Sequence, residues 1–231
     1  MKRSQHECHF GDIDPATVSE YDVVVPLSPD ALLTADKYRD RINQSIIAIP
    51  PGDVVRLLDD KPAFNARMKE LGYGEYLPGE AGRGDYPYVV KKKHDFGGEH
   101  VFRIHDAADE VKYQQYLDSD EYFTQELLLD SVEQVTHMLM KENDLIFSFS
   151  LNYYFVDPDP VKGPEPNLYK EHFRCVHLPL FTKILQDLGF TGGICNFNYK
   201  LVDGVPKIFE INPRMGGSSR DLFCLYLKNA M

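Results

Sequence analysis

An α+β fold is what this sequence predicts, on three observations. Helix-like and strand-like segments alternate early in the chain. A run of long extended segments joined by short turns follows late in the chain, which gives antiparallel hairpins rather than a doubly wound parallel sheet. The length of 231 residues, 43% of them hydrophobic and 12% aromatic, is enough for one larger domain or two lobes, each with its own core. The net charge of −11 argues against a general nucleic-acid binder, which needs a surplus of Lys and Arg to neutralise phosphates. No apolar run approaches the ~20 residues of a membrane helix. No apolar stretch follows Lys2 and Arg3, so no secretory leader is legible. The four cysteines, Cys8, Cys175, Cys195 and Cys224, form no CxxC pair and suit reduced thiols in a cytoplasmic protein.

The elements follow in order. Residues 21–27 (YDVVVPL) form a short apolar run closed by Pro26, expected as a buried parallel strand. Helical spacing covers 31–42, and 45–50 reads as a strand stopped by Pro50-Pro51-Gly52. Residues 54–71 are helical with a break near 59–62, where Asp60 is placed to cap a second helix that carries Pro62 in its first turn. Gly72 ends that helix. A loop with five glycines spans 72–86. Strands at 86–91 and 101–104 flank the flexible connection His94-Asp95-Phe96-Gly97-Gly98-Glu99. A helix is expected at 109–119, strands at 123–129, 133–141 and 145–156, and an exposed Pro-rich loop at 157–168. A helix at 174–188 stops at Gly189, and strands at 194–201 and 205–211 close the pattern. The division expected from this is a leading segment 1–60, a middle lobe 61–123 and a final lobe 124–231.

The most informative stretch is Phe209-Glu210-Ile211-Asn212-Pro213-Arg214, followed by Met215-Gly216-Gly217-Ser218. On a strand, alternate side chains share a face, so Glu210 and Asn212 point one way while Phe209 and Ile211 point the other. Two oxygen donors on one face suit a hard cation such as Mg²⁺, which takes few protein ligands and keeps phosphate oxygens in its shell. Arg214 adds a permanently charged fork suited to phosphate. Lys91 and Lys93 share a strand face ahead of the glycine connection, and either could reach a phosphate. Lys91 is favoured because it directly follows the apolar Val89-Val90. Gly97-Gly98 could close over a triphosphate through backbone N–H groups, or form a plain hairpin turn.

The phrase Glu210-Ile211-Asn212-Pro213-Arg214 with Gly216-Gly217-Ser218 resembles the metal-and-phosphate strand end of the ATP-grasp superfamily, which includes biotin carboxylase and D-alanine–D-alanine ligase. Further pieces stand in the order that resemblance implies. Asp60-Lys61 is similar to the family's first basic residue, and Tyr88-Val89-Val90-Lys91 to the second. Gln125-Glu126-Leu127-Leu128 resembles the hinge that meets adenine, and Glu133 the ribose-binding acid. Gly192-Gly193-Ile194-Cys195-Asn196 resembles the strand that supplies a further metal ligand, with Asn198 on the same face toward nucleotide or substrate. The family often has an acid or Gln where Asn196 stands, a departure that weakens one Mg²⁺ site. The resemblance implies two α+β lobes clasping Mg-ATP, with Mn²⁺ as an alternative metal and a shortened leading segment. Glu210, Asn212 and Asn196 would hold the metal, and Arg214 and Lys91 would stabilise transferring phosphoryl charge.

The implied activity is that of an ATP-dependent ligase joining a small-molecule carboxylate to an amine, or to a thiol, through an acylphosphate. Two alternatives use the same residues: a nucleotide-binding subunit without complete chemistry, and a phosphotransferase. A homodimer or a partner subunit is compatible with each, and neither nucleic acid nor membrane is an expected partner. One expectation concerns register. A two-residue Asp203-Gly204 turn would put Asn196 on the face away from Glu210, so a three-residue loop pairing Leu201 with Val205 and Asn196 with Glu210 is expected. Asp157, Asp159 and Glu165 are expected in solvent; His172 and Arg174 could reach phosphate or substrate from ahead of the helix before Gly192-Gly193, with surface placement favoured. Cys175 and Cys195 are expected in the core, and His6, Cys8 and His9 are read as a frayed terminus rather than a zinc site.

Overall fold

The structure is a computed structural model that describes residues 7, 9–14, 16–39, 49–95, 98–161 and 166–217. Helix α1 (Pro29–Lys37) starts on Ser28, whose hydroxyl accepts from the Ala31 N–H. Helices α2 (Gly52–Asp59) and α3 (Lys61–Glu70) meet at Asp60, which caps α3 as its spacing from Pro62 predicts, with its carboxylate 3.0 Å from the Ala63 nitrogen. Strands β1 (Tyr88–Lys92), β2 (Val101–Ile104) and β3 (Tyr122–Glu126) form an antiparallel sheet in the order β2-β1-β3. The helix expected at 109–119 is two short ones, α4 (Ala107–Lys112) and α5 (Gln114–Leu117). Tyr113 at their junction and Tyr116 on α5 pack onto Phe102, at ring separations of 5.0 and 4.3 Å, and so cover one face of this small sheet.

The second sheet is larger. Strands β4 (Val132–Lys141), β5 (Asp144–Tyr154), β6 (Tyr169–Phe173), β7 (Gly193–Val202) and β8 (Val205–Asn212) lie in the order β6-β5-β4-β7-β8, all antiparallel, with helix α6 (Leu178–Asp187) between β6 and β7. Strand alternation gives this sheet two different faces. One carries Met138, Cys195, Phe197, Tyr199, Ile208 and Ile211 against Val54, Leu58, Phe64, Met68 and the buried side of α6. This is the main core. Helices α2 and α3 therefore belong to the large sheet, and β3 to the small one. The chain crosses between the sheets at residues 127–131.

Several expectations are corrected. Residues 21–27 form no parallel strand: only Val24 makes an isolated bridge. Val23 and Val25 instead pack as an extended flap on Leu139, Ile194 and Met215. The strand expected at 45–50 falls almost wholly outside the described residues, as do Gly97, Glu165, Cys8 and Cys224. The β6 strand went unread because Lys170, Glu171 and His172 give an edge strand no apolar signal. Asp159 is buried rather than in solvent: Arg103 donates to its carbonyl at 2.9 Å and His105 Nε2 lies 3.0 Å from its carboxylate. Asp157, His172 and Arg174 are exposed as expected, and Cys175 and Cys195 are buried free thiols.

The β7–β8 hairpin corrects the register argument. Asp203 and Gly204 have φ of 51° and 80°, the two left-handed residues of a two-residue turn, and Val202 pairs with Val205. The register then shifts between Asn198 and Tyr199: Tyr199 faces Ile208, Asn198 faces Glu210, and Phe209 is the extra residue of a bulge. The bulge restores by one residue what the turn took away. Asn196, Asn198, Glu210 and Asn212 share a face, with Asn196 opposite Asn212 rather than opposite Glu210. The same bulge brings Phe209 to the cleft instead of leaving it beside Ile211 in the core.

Candidate active site

The two sheets face each other across a cleft of ≈ 560 Å³. One end of it is built from the bulged hairpin. Asn198 Nδ2 donates to Glu210 Oε1 at 2.5 Å and Asn212 Nδ2 donates to the same oxygen at 2.9 Å. Asn196 Nδ2 donates to the Arg214 carbonyl at 3.0 Å, and an Arg214 guanidinium N–H donates to Asn212 Oδ1 at 3.3 Å. Carboxylate, amides and guanidinium are thus held by one another on the strands that carry them. Behind them the His137 ring stacks on Phe149 at 4.5 Å. A Cβ on Gly216 would sit 3.0 Å from His137 Cε1 and 3.2 Å from Asn196 Nδ2, so a residue without a side chain is what lets the loop after Arg214 close over the hairpin.

The opposite wall supplies cations. Lys91 Nζ donates to Gln125 Oε1 at 3.1 Å and lies 5.3 Å from the centre of the Phe209 ring. Desolvation between the two sheets pulls its pKa down to about 8, and the nearby Lys61 and Lys200 charges push the same way against the attraction of Glu210 and Glu133. Lys61 Nζ donates to the Asp95 carbonyl at 2.6 Å, and its backbone N–H bonds the Lys93 carbonyl, which ties α3 to the start of the glycine connection. Gly98 lines the cleft with φ 75°. Lys93 enters only through its backbone, whose N–H bonds the Glu121 carbonyl.

At the far end stand Glu126, Leu127 and Leu128, with Pro78, Val89, Tyr153 and the loop residues Pro160 and Val161. Glu126 accepts from the Gly79 N–H at 2.6 Å and so pins residues 78–79 against the crossing segment. Gln125 is buried, stands opposite Val89 on the cleft face of the small sheet and accepts from Lys91 there, without itself lining the cavity. Glu133 is buried and lines the cleft opposite Tyr153. The structure therefore brings together Lys61, Lys91, Gly98, Glu126, Leu127, Leu128, Glu133, Asn196, Asn198, Glu210, Asn212 and Arg214 in one cavity. It also adds a residue the sequence reading missed: Lys200, buried on β7 with Nζ 2.9 Å from the Leu128 carbonyl. Alternation from Asn196 through Asn198 was the signal that points to it.

The hairpin cluster fits a Mg²⁺ ion on its donor set. One carboxylate and three amides supply hard oxygens, and an amide turned by half a rotation presents oxygen in place of N–H. Among the described residues no three His, Cys, Asp or Glu side chains converge, so a softer closed metal site is not built here. No described helix is long and apolar enough to cross a membrane.

Two lobes of this make, with a hinge between the sheets and a bulged strand end across from paired lysines, define the ATP-grasp fold. The chain is similar to an L-amino acid ligase from Bacillus licheniformis at 16% identity and a TM-score of 0.65, over 89% of this chain and 53% of that one. It is similar to an N5-carboxyaminoimidazole synthetase from Staphylococcus aureus complexed with ADP, at 14% and 0.60, over 90% and 58%. A D-alanine–D-alanine ligase from Bacillus anthracis complexed with ATP gives 13% and 0.57, over 83% and 69%. This chain thus spans about half the length of the L-amino acid ligase. No protein-family model and no curated protein matches the sequence.

Proposed function

We propose that this chain carries the nucleotide-binding core of an ATP-dependent ligase that joins a small-molecule carboxylate to an amine or thiol. The observation that carries the reading is that Lys91 and Glu210, from different sheets, face each other across one cleft with Lys61 and Arg214 beside them. ATP brings about four negative charges, and a cleft that excludes water must offset them with cations. In this reading Lys61, Lys91, Arg214 and the Gly97-Gly98 backbone take the phosphates, and residues 126–128 take the base. Glu133 accepts from the ribose hydroxyls, and Gln125 acts only by holding Lys91. Glu210, Asn212, Asn196 and Asn198 would hold Mg²⁺, which when bound supplies charge neutralisation at the phosphates. The two lobes are proposed to meet at 127–131.

No side chain here need form a covalent bond. An acceptor carboxylate oxygen attacks the γ-phosphorus and ADP leaves. The nucleophile then attacks the acyl carbon and phosphate leaves. Lys91 and Arg214 serve by placing positive charge where the transferring oxygens gain negative charge. An ADP-release screen over carboxylates and amines, with hydroxylamine present, tests this. Hydroxamate formation with ADP is expected. ADP without hydroxamate favours a phosphotransferase, and failure of Mg-ATP to bind refutes the reading. A second reading, a nucleotide-binding module without complete chemistry, is favoured by one observation: the position opposite Glu210 holds the amide of Asn198, which leaves a single carboxylate on the cleft face of the hairpin.

A further inference from the structure

We infer that Asp159 is the positioning residue that shuts one end of this cleft and sets how fast nucleotide enters and leaves it, an inference that rests on the nucleotide reading above. The small sheet is held to the large lobe at both of its edges. At the β3 edge the chain itself runs on into the crossing segment 127–131. At the β2 edge the attachment is made by side chains. Arg103, opposite Val89 on the cleft face, donates to the Asp159 carbonyl at 2.9 Å and stands 3.8 Å from the Asp159 carboxylate. His105 Nε2 lies 3.0 Å from the same carboxylate. Asp159 belongs to the other lobe, on the loop between β5 and β6. That loop leaves β5 beside the crossing segment, where the Phe155 N–H bonds the Ser131 carbonyl. From there to the β2 edge is two strand spacings, about 10 Å, which four extended residues cover. The loop is thus a strap across the end of the cleft, and the residues after Asp159, Pro160 and Val161, line that end with Leu127 and Leu128.

The Asp159 side chain is only 12% exposed, so its pairing is less screened by water than that of a surface pair. Opening the cleft by a hinge at 127–131 swings the β2 edge outward, and that motion must pull Arg103 and His105 off Asp159. None of these three residues lines the cavity. The contact therefore stabilises the closed cleft by the same amount with nucleotide inside or outside. A contact that favours two states alike does not shift the balance between them. It slows entry and exit by one common factor and leaves affinity nearly unchanged. A residue that touches the nucleotide behaves differently, because its loss acts mainly on release.

Stopped-flow mixing of the whole chain with Mg-ATP carrying a fluorescent tag on its ribose tests this, with each variant's thermal melt recorded beside it. Asp159→Ala and His105→Ala are each expected to speed association and release together by about fivefold, as for one partly exposed charged contact, and to leave Kd within about twofold of wild type. The double variant is expected to be no faster than either single one, because both changes break the same contact. Release that speeds while association does not makes Asp159 part of the binding wall. Unchanged rates, additive single effects or a shift in the melt alone make it an anchor of its own loop. Each of these outcomes overturns the inference. His105 is half exposed, so His105→Ala carries the test if Asp159→Ala does not fold. A wild type that binds no nucleotide refutes the nucleotide reading. The latch is then decided without nucleotide, by hydrogen exchange: Asp159→Ala is expected to speed exchange at residues 101–105 and 157–161, and unchanged exchange there overturns it.

Discussion

The two sheets that wall the cleft hold their charges in opposite ways. On the large sheet, Glu210 is satisfied before any ligand arrives: two amide N–H groups from neighbouring positions point at one of its oxygens, and Arg214 is bonded into the same hairpin. On the small sheet, the Lys91 ammonium stands in a desolvated gap with Gln125 as a neutral acceptor and two further lysines nearby. One wall is preorganised and relaxed. The other stores unfavourable charge that an incoming polyanion would relieve. The contrast teaches how such a cleft can favour phosphate without a dense cluster of acids or bases: geometry is fixed on one side and electrostatic need is concentrated on the other.

The comparison breaks most completely at the preorganised wall. Replacing Glu210 by Ala removes the single carboxylate on the hairpin's cleft face, and Mg-ATP turnover is expected to fall on the order of 10²–10³-fold or more, as when a positioned charge-stabilising group is lost. Full activity in an ADP-release assay would refute the metal role. The next effect is at the strained wall. Lys91→Met is expected to weaken Mg-ATP binding about a hundredfold, read by calorimetry. The same change is expected to raise the melting temperature of the ligand-free protein near pH 7. The sign follows from linkage. The folded-state pKa of Lys91, about 8, lies below its unfolded value, so the unfolded chain binds more protons between those two values and wild-type stability rises with pH there. The stability advantage of Lys91→Met is therefore full below pH 8 and shrinks as pH climbs toward the ordinary lysine range. A flat difference across that window would show that Lys91 carries no such penalty. The smallest effect sharpens the comparison. Asn198→Asp gives the hairpin a second carboxylate beside Glu210, and Mn²⁺ affinity measured by electron paramagnetic resonance is expected to rise about tenfold, since ligand charge count sets divalent-ion affinity. The metal-free variant should melt lower and recover when Mn²⁺ is added.

Much of this was legible in the residues. The Asp60 cap with Pro62 and the strand at 101–104 followed from turn chemistry and spacing, and the strand expected at 205–211 runs one residue further, to Asn212; Lys91, Glu210, Asn212 and Arg214 stood out by residue type, whereas Lys61 and Glu133 were reached only through the family resemblance. These are local signals, or motifs whose residue types already state their chemistry. The misses were non-local. β6 pairs through its backbone and carries polar side chains, so no periodicity announces it. Asp159 reads as a loop residue until Arg103 and His105 of the other lobe fold onto it.

The β7–β8 hairpin marks the boundary between the two kinds of knowledge. Sequence alone determined that the chain turns near Asp203-Gly204 and which polar side chains, Asn196, Asn198, Glu210 and Asn212, the two strands carry, though the three-residue loop expected there is a two-residue turn, because turn-forming tendency and side-chain type are properties of the residues themselves. Only the tertiary structure decided that Phe209 bulges, that Asn198 and not Asn196 meets Glu210, and that Lys200 reaches the Leu128 carbonyl. A one-residue slip in a ladder exchanges its two faces, and which slip is stable depends on what each face must bury against the helices on one side and the opposing sheet on the other.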